Sequence, residues 1–233
     1  MRNTLLASVS HDFRTPLASI LGSATSLIDY GDKLDDSVQR DLLGQIKSEA
    51  ENLDQMVRNL LAITRIDSGA LELRLDWVDL RETTQRIVNA ARRRGIAQSI
   101  DMNFPVDVPL VRADATLVEQ ALGNIIGNAV AHTPPEARVK IDFVLDLSRV
   151  SLRVTDDGPG IDRALLPHVF EKFFRGQSRV DPKADGGEGT GLGLAIAKGI
   201  IEAHGGSISA ESPVDGTRGT RIILNFPRGE SPQ

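Results

Sequence analysis

His11 and Asp12 stand side by side near the start of this 233-residue chain, with Thr15 four residues after the histidine and Pro16 directly behind it. An imidazole next to a carboxylate is a nucleophile with a base at hand, and a hydroxyl at i+4 lies one helical turn along the same face. Asn124 and Asn128 repeat the spacing of four. Their amide oxygens are hard donors, suited to Mg²⁺ when phosphate oxygens and waters complete an octahedron. Asp156-Asp157-Gly158-Pro159-Gly160-Ile161 offers a carboxylate that can accept from an exocyclic amine, with glycines that let backbone pass close to a ligand. Gly187-Glu188-Gly189-Thr190-Gly191-Leu192-Gly193-Leu194 then leads into an apolar helical pattern, aiming free N–H groups and the positive helix end at a polyphosphate. No Gly-Lys pair supplies a Walker A loop, and neither glycine cluster fits G-x-G-x-x-G. Singly, these signals also fit a surface helix, a turn or a linker. In this order they are what an ATP–Mg²⁺ site requires.

The elements that must position them follow from periodicity. Leu6, Val9, Phe13, Leu17, Ile20, Ala24 and Leu27 form one apolar stripe, which predicts a helix from Thr4 to Tyr30 with His11 facing solvent. Pro16 removes an N–H and crowds the carbonyl of Asp12, so a kink is expected there. Gly31-Asp32 turns the chain into a second helix, Asp36 to Asp67, striped by Leu42, Ile46, Ala50, Leu53, Val57, Leu60 and Ile63. Two helices cannot enclose both stripes. A second copy, completing a four-helix bundle, is the expected solution, and packing on the chain's own C-terminal part is the other.

Beyond a boundary at about Gly69 to Leu75 the pattern is α+β, with one mixed or mostly antiparallel sheet covered by helices on one face. Strands are predicted at Leu71–Val78, Ile100–Phe104, Val108–Arg112, Val139–Leu145, Val150–Thr155, Ser207–Ser212 and Thr220–Phe226. Helices are predicted at Leu80–Arg93, at Ala115–His132 behind an Asp114 N-cap, and at Leu192–Ala203. Val169-Phe170-Glu171-Lys172-Phe173-Phe174 holds three of the seven phenylalanines, an anchor for the polar loop that follows.

Composition excludes several classes. Hydrophobic residues make up 40 % of the chain, enough for real cores, while aromatics are only 4 % and the net charge is −5, which argues against binding nucleic acid. Cysteine is absent, so disulfides and thiol chemistry are excluded. The four histidines are scattered, and no apolar run approaches the roughly 18 residues that span a bilayer. The chain as given reads as soluble.

Together these motifs resemble the sensor histidine kinases of two-component signalling across nearly the whole chain. Ser10–Leu17 looks like the H-box, Glu119–Thr133 the N-box, Asp156–Ile161 the G1 box, Phe170–Arg175 the F-box and Gly187–Leu194 the G2 box. The runs Leu5–Asp12 and Pro16–Ala18 are particularly similar to the potassium-responsive members. The resemblance implies a helical hairpin forming a dimeric four-helix bundle (residues 1–70, dimerisation and histidine phosphotransfer). An α+β sandwich ATPase domain of the GHKL, or Bergerat, type follows (residues 71–233). It implies that His11 is the phosphoacceptor, Asp12 its base, and Thr15 the holder of a water for dephosphorylating a response regulator. It further implies that Asp156 reads adenine, Asn128 ligates Mg²⁺ and Asn124 supports the phosphates. Gly158 and Gly160 would line the nucleotide, with Gly187, Gly189, Thr190, Gly191, Leu192 and Gly193 around the triphosphate. The implied partners are a second copy and a response-regulator receiver domain, and the implied location is the cytoplasmic portion of an inner-membrane sensor.

One departure stands out. After Asn128-Ala129-Val130 the family commonly carries Lys-Tyr, whereas this chain has Ala131-His132. One phosphate contact is lost, and His132 is expected to take it over in part by stacking or by touching phosphate. Two other readings follow: a phosphatase-biased or ATP-sensing module with weak kinase activity, and a GHKL ATPase without a phosphoacceptor.

Overall fold

The computed structural model describes residues 2–93, 95–174, 190–216 and 218–229, with side chains from residue 12 onward. The chain divides into two compact units, Met1–Ala62 and Ile63–Gln233.

The first unit is a helical hairpin. Helix α1 (Arg2–Tyr30) runs through Pro16 without a break, a single 3-10 turn (Gly31–Lys33) reverses the chain, and α2 (Asp36–Asp67) returns. Gln39 fixes the turn by donating to the carbonyls of Gly31 at 3.0 Å and Leu34 at 3.1 Å. Midway along, the buried Ser23 hydroxyl donates to Gln45 Oε1 at 3.0 Å, and Gln45 Nε2 donates to Ser19 at 3.1 Å. The seam between the helices is therefore partly polar. The predicted stripes are only partly covered: Leu17 is 54 % exposed, Val57 is 45 % exposed and Ala50 is exposed, because two helices bury only the strip where they face each other. Leu21, Ile28, Leu43 and Leu61 are exposed as well.

In the second unit, a short ribbon is made by β1 (Asp76–Val78) and β3 (Val111–Ala113), paired antiparallel. Between them lie α3 (Leu80–Arg93) and β2 (Ser99–Asn103). There follow α4 (Ala115–Ala131), β4 (Arg138–Leu145), β5 (Arg149–Asp156), α5 (Gly193–Ala203), β6 (Ser207–Glu211) and β7 (Thr220–Pro227). The main sheet has the order β2-β4-β5-β7-β6, with β2 and β4 parallel and every other pair antiparallel. Two expectations are corrected here. There are two sheets where one was predicted, and the strand expected over Leu71–Val78 is only its last three residues, because the Arg74 amide is spent on the Asp114 carboxylate at 3.0 Å.

Alternation decides the core. Val139, Ile141 and Phe143 of β4, Val150, Leu152 and Val154 of β5, and Ile222, Leu224 and Phe226 of β7 all share one buried face. Val118, Leu122, Ile125 and Ile126 of α4 and Ile196, Ile200 and Ile201 of α5 bury their apolar sides in the same core. Each such side chain contributes about 1.5–3 kcal/mol on burial. This core holds the two helices and the sheet end that carry the site.

Candidate nucleotide-binding site

Asp156 closes β5, opposite Thr220 of β7. Its Oδ1 accepts from the Gly158 amide at 3.0 Å and from the Thr220 amide at 3.3 Å, which fixes the carboxylate and commits one oxygen to the backbone. Burial, aided by the neighbouring Asp157 charge, pushes its pKa up, while the two amides pull the other way. A hollow of about 110 Å³ opens beside it, lined by Thr155, Asp157, Val214, Asp215, Arg218 and Gly219. Gly160 has φ +77°, and a Cβ there would stand 2.9 Å from Ser212 Oγ. That hydroxyl accepts from the Ile161 amide at 2.7 Å and donates to the Gly219 carbonyl at 2.8 Å, so it ties the turn after Asp156 to the approach of β7.

Helix α4 starts as expected on Asp114, whose Oδ1 accepts from the amides of Thr116 at 3.0 Å and Leu117 at 3.1 Å. Asn124 and Asn128 fall one turn apart on its half-buried side. Asn124 Nδ2 donates to the Gly193 carbonyl at 3.2 Å, joining the Asn pair to the start of α5. Among the described residues the Asn128 amide has no protein hydrogen bond, which leaves its oxygen for a ligand. Those residues hold no cluster of three or more His, Asp or Glu that could bind a metal. An Asn oxygen completed by phosphate oxygens and waters fits Mg²⁺, an ion that keeps much of its hydration. His132 is the C-cap of α4 and is exposed, yet desolvation by the surrounding protein lowers its pKa. Gln98 holds that helix end, donating to the carbonyls of Val130 and Thr133, each at 3.0 Å.

The glycine loop enters α5 through Thr190, Gly191 and Leu192. Gly191 has φ +65°, and a Cβ on it would come within 2.8 Å of the Phe173 carbonyl carbon and the Phe174 oxygen. Phe173 itself sits at φ +62° and donates its amide to the Gly191 carbonyl at 2.9 Å. The phenylalanine cluster thus anchors the loop through backbone contact, not only through its rings. Leu192 is fully buried at the helix start and, as the N-cap residue, makes no side-chain hydrogen bond to α5. A helix start of this kind can present its first N–H groups to an anion. Gly187, Gly189 and Arg175 lie outside the described residues.

Asp156, Asn124, Asn128, His132, Gly158, Gly160, Thr190, Gly191, Leu192 and Gly193 all belong to the second unit, and His11, Asp12 and Thr15 to α1 of the first. The His11 side chain is outside the described set; Asp12 is half-buried and Thr15 exposed. Sequence reasoning missed Thr220, Ser212, Gln98 and His204. Only His204 carried a signal, as a histidine at the end of an apolar helix.

Residues 113–230 match the family described as histidine kinase-, DNA gyrase B- and HSP90-like ATPase, and residues 1–69 match the His Kinase A (phospho-acceptor) domain. The chain is 33 % identical over 228 residues to the sensor protein KdpD of Clostridium acetobutylicum, covering 98 % of this chain. It is 32 % identical over 234 residues to KdpD of Escherichia coli, covering 100 % of this chain. It spans only 25 % of either relative. Full-length ShkA, solved in complex with AMPPNP, aligns with a TM-score of 0.67 at 27 % identity, covering 98 % of this chain and 47 % of that one. ThkA, solved in complex with the response regulator protein TrrA, shares the fold with a TM-score of 0.65 at 24 % identity, over 97 % of this chain and 61 % of that one.

Proposed function

The chain belongs to the sensor histidine kinases, pairing a phosphoacceptor helical domain with a gyrase B- and HSP90-like ATPase domain, and on that premise we propose that it autophosphorylates His11 from ATP. The phosphoryl group then passes to an aspartate of a response-regulator receiver domain. The observation that carries this reading is the Asn124–Gly193 bond that joins two of the motifs, with Asn128 one turn on making no side-chain hydrogen bond among the described residues and, in the same domain, a carboxylate at Asp156 whose Oδ1 is held by two backbone amides.

In this reading Asp156 accepts from the adenine amine. Gly158 and Gly160 let the backbone approach the base. The open start of α5 and Asn124 face the phosphates, with Gly187, Gly189, Thr190, Gly191, Leu192 and Gly193 forming the surrounding loop. Asn128 holds Mg²⁺, which supplies charge neutralisation when bound. His11 Nε2 forms the new N–P bond as the bond from the γ phosphorus to its bridging oxygen breaks. ADP leaves with that electron pair, and Asp12 draws on the Nδ1 proton. Thr15 holds a water for the reverse task, dephosphorylating the regulator. We place the domain boundary between residues 70 and 71.

Exposed Leu17, Leu21 and Ile28 on α1, with Leu43, Val57 and Leu61 on α2, support a homodimer closing a four-helix bundle. Among the described residues no helix is long and apolar enough to cross a membrane. Since the KdpD relatives are about four times longer, we assign the chain to the cytoplasmic portion of an inner-membrane sensor.

Incubation with γ-labelled ATP is expected to yield an acid-labile, base-stable label that His11→Gln abolishes. Label retained in that variant would refute the assignment. Ala131, standing where the family commonly has lysine, favours one second reading, a phosphatase-biased module. That reading predicts weak labelling beside strong regulator dephosphorylation that is lost in Thr15→Ala.

A further inference from the structure

His204 follows α5, is 8 % exposed, and has both ring nitrogens engaged. The Asp114 backbone amide donates to Nε2 at 2.9 Å, so Nε2 carries the lone pair. Nδ1 therefore bears the proton and donates to the Ile200 carbonyl at 2.7 Å. One bond stays within the end of α5; the other crosses to the residue that caps α4.

The start of α5 is also tied to the middle of α4, by Asn124 Nδ2 on the Gly193 carbonyl. Asn124 lies ten residues after Asp114, and His204 eleven after Gly193. At 1.5 Å per residue these spans are about 15 and 16 Å, so two antiparallel helices are pinned at matched points along nearly equal lengths. Sliding α5 along α4 breaks both bonds at once. A slide would also carry Gly193, with the N–H groups behind it, away from Asn124. The adenine end, Asp156 with Gly158 and Thr220, is built from sheet and turn and hangs on neither tie.

We propose that His204 is a positioning residue for the nucleotide phosphates: its bond to Asp114 sets the register of α5 on α4 and so the placing of Gly193 against Asn124. This rests on the kinase reading above. Two substitutions separate the bonds. Gln reaches the Nε2 position and accepts from Asp114, whereas Asn reaches only the Nδ1 position and keeps the bond to Ile200.

In the full chain, calorimetric titration with AMPPNP and with adenosine is expected to show His204→Gln within twofold of wild type for both ligands. His204→Asn is expected to bind AMPPNP about tenfold more weakly with adenosine affinity unchanged. An Asn variant that binds both ligands like wild type, or that loses both equally, overturns the proposal, since a merely structural role acts on both. Amide exchange in the unmutated protein keeps the question decidable should the Asn variant not fold. AMPPNP at one tie must then slow exchange of the Asp114 amide at the other, and unchanged exchange overturns the proposal. A wild type that binds no AMPPNP overturns the kinase reading itself.

Discussion

Gly158 lies so close beneath Thr133 that a Cβ on the glycine would stand 2.7 Å from the threonine Cγ2 and 2.9 Å from Asp156 Oδ1. The turn after β5 and the end of α4 are thus in contact where the site needs both. Thr133 cannot yield freely, because its hydroxyl donates to the Ala129 carbonyl at 2.8 Å. Gly158→Ala is expected to cost about 1–3 kcal/mol through overpacking. A melting temperature lower by several degrees and an ATP affinity reduced about tenfold or more are the measurable results. An alanine variant that binds and melts like wild type would show that the turn has room to spare.

Asp156 makes a prediction with a sign. Burial raises its pKa above the ordinary value of 3.8, so the folded chain holds the proton more tightly than the unfolded one. The stability this gives is full below 3.8 and is lost as pH rises through the raised value, so at neutral pH the ionised carboxylate is a net cost. Asp156→Asn removes that cost, and its amide oxygen still accepts from Gly158 and Thr220. The variant is expected to be as stable as wild type or more so at pH 7, while on the proposed adenine contact its NH₂ would meet the adenine amine donor to donor. Nucleotide affinity should fall by about tenfold or more, as for a lost hydrogen bond to a charged group. In wild type, adenosine affinity should weaken on acidification at a pH above that at which an ordinary aspartate protonates. Differential scanning calorimetry and adenosine titrations across pH 4 to 8 check both halves.

What could be read from the chain, and what could not, divides by range. The Asp114 cap, the limits of α3 and the placing of Asn124 and Asn128 one turn apart follow from neighbours in sequence, and the structure has them as expected. The parallel pairing of β2 with β4, the separate β1–β3 ribbon and the Asn124–Gly193 bond join residues far apart in sequence, and local patterns carry no trace of them. Leu71–Val78 alternates like a strand, yet Arg74 gives its amide to a side chain forty residues away. Phe173 at φ +62° is legible only once Gly191 is beside it.

The exposed apolar residues of the hairpin give a third prediction. Leu43, Ala50 and Val57 recur at intervals of seven on α2 and are all exposed, the spacing that a coiled-coil-like contact with a second copy would use. A charge in such a contact has no partner in a bundle. Val57→Glu, or Leu43→Lys, is expected to weaken self-association about a hundredfold or more, since burying an unpaired charge costs several kcal/mol. Sedimentation velocity at micromolar concentration reads the change. A dimer of undiminished strength in both variants would place the second copy elsewhere.

In the proposed site, Ala131 and His132 stand where the family commonly has Lys-Tyr near the phosphates. Desolvation lowers the His132 pKa, so the ring is neutral at pH 7 and offers a π-face or a single N–H, not a charge. The stability tied to this neutral form is full above the ordinary value of 6.5 and is lost as pH falls toward the lowered one. Two outcomes follow for ATP. His132→Ala should weaken binding about three- to tenfold through lost stacking or hydrogen bonding, by an amount that does not change between pH 7 and 8. Ala131→Lys should strengthen binding by about the same factor, and that gain should shrink in high salt because it is electrostatic. Should His132→Ala bind ATP as tightly as wild type, the imidazole does not take over the role of the missing lysine.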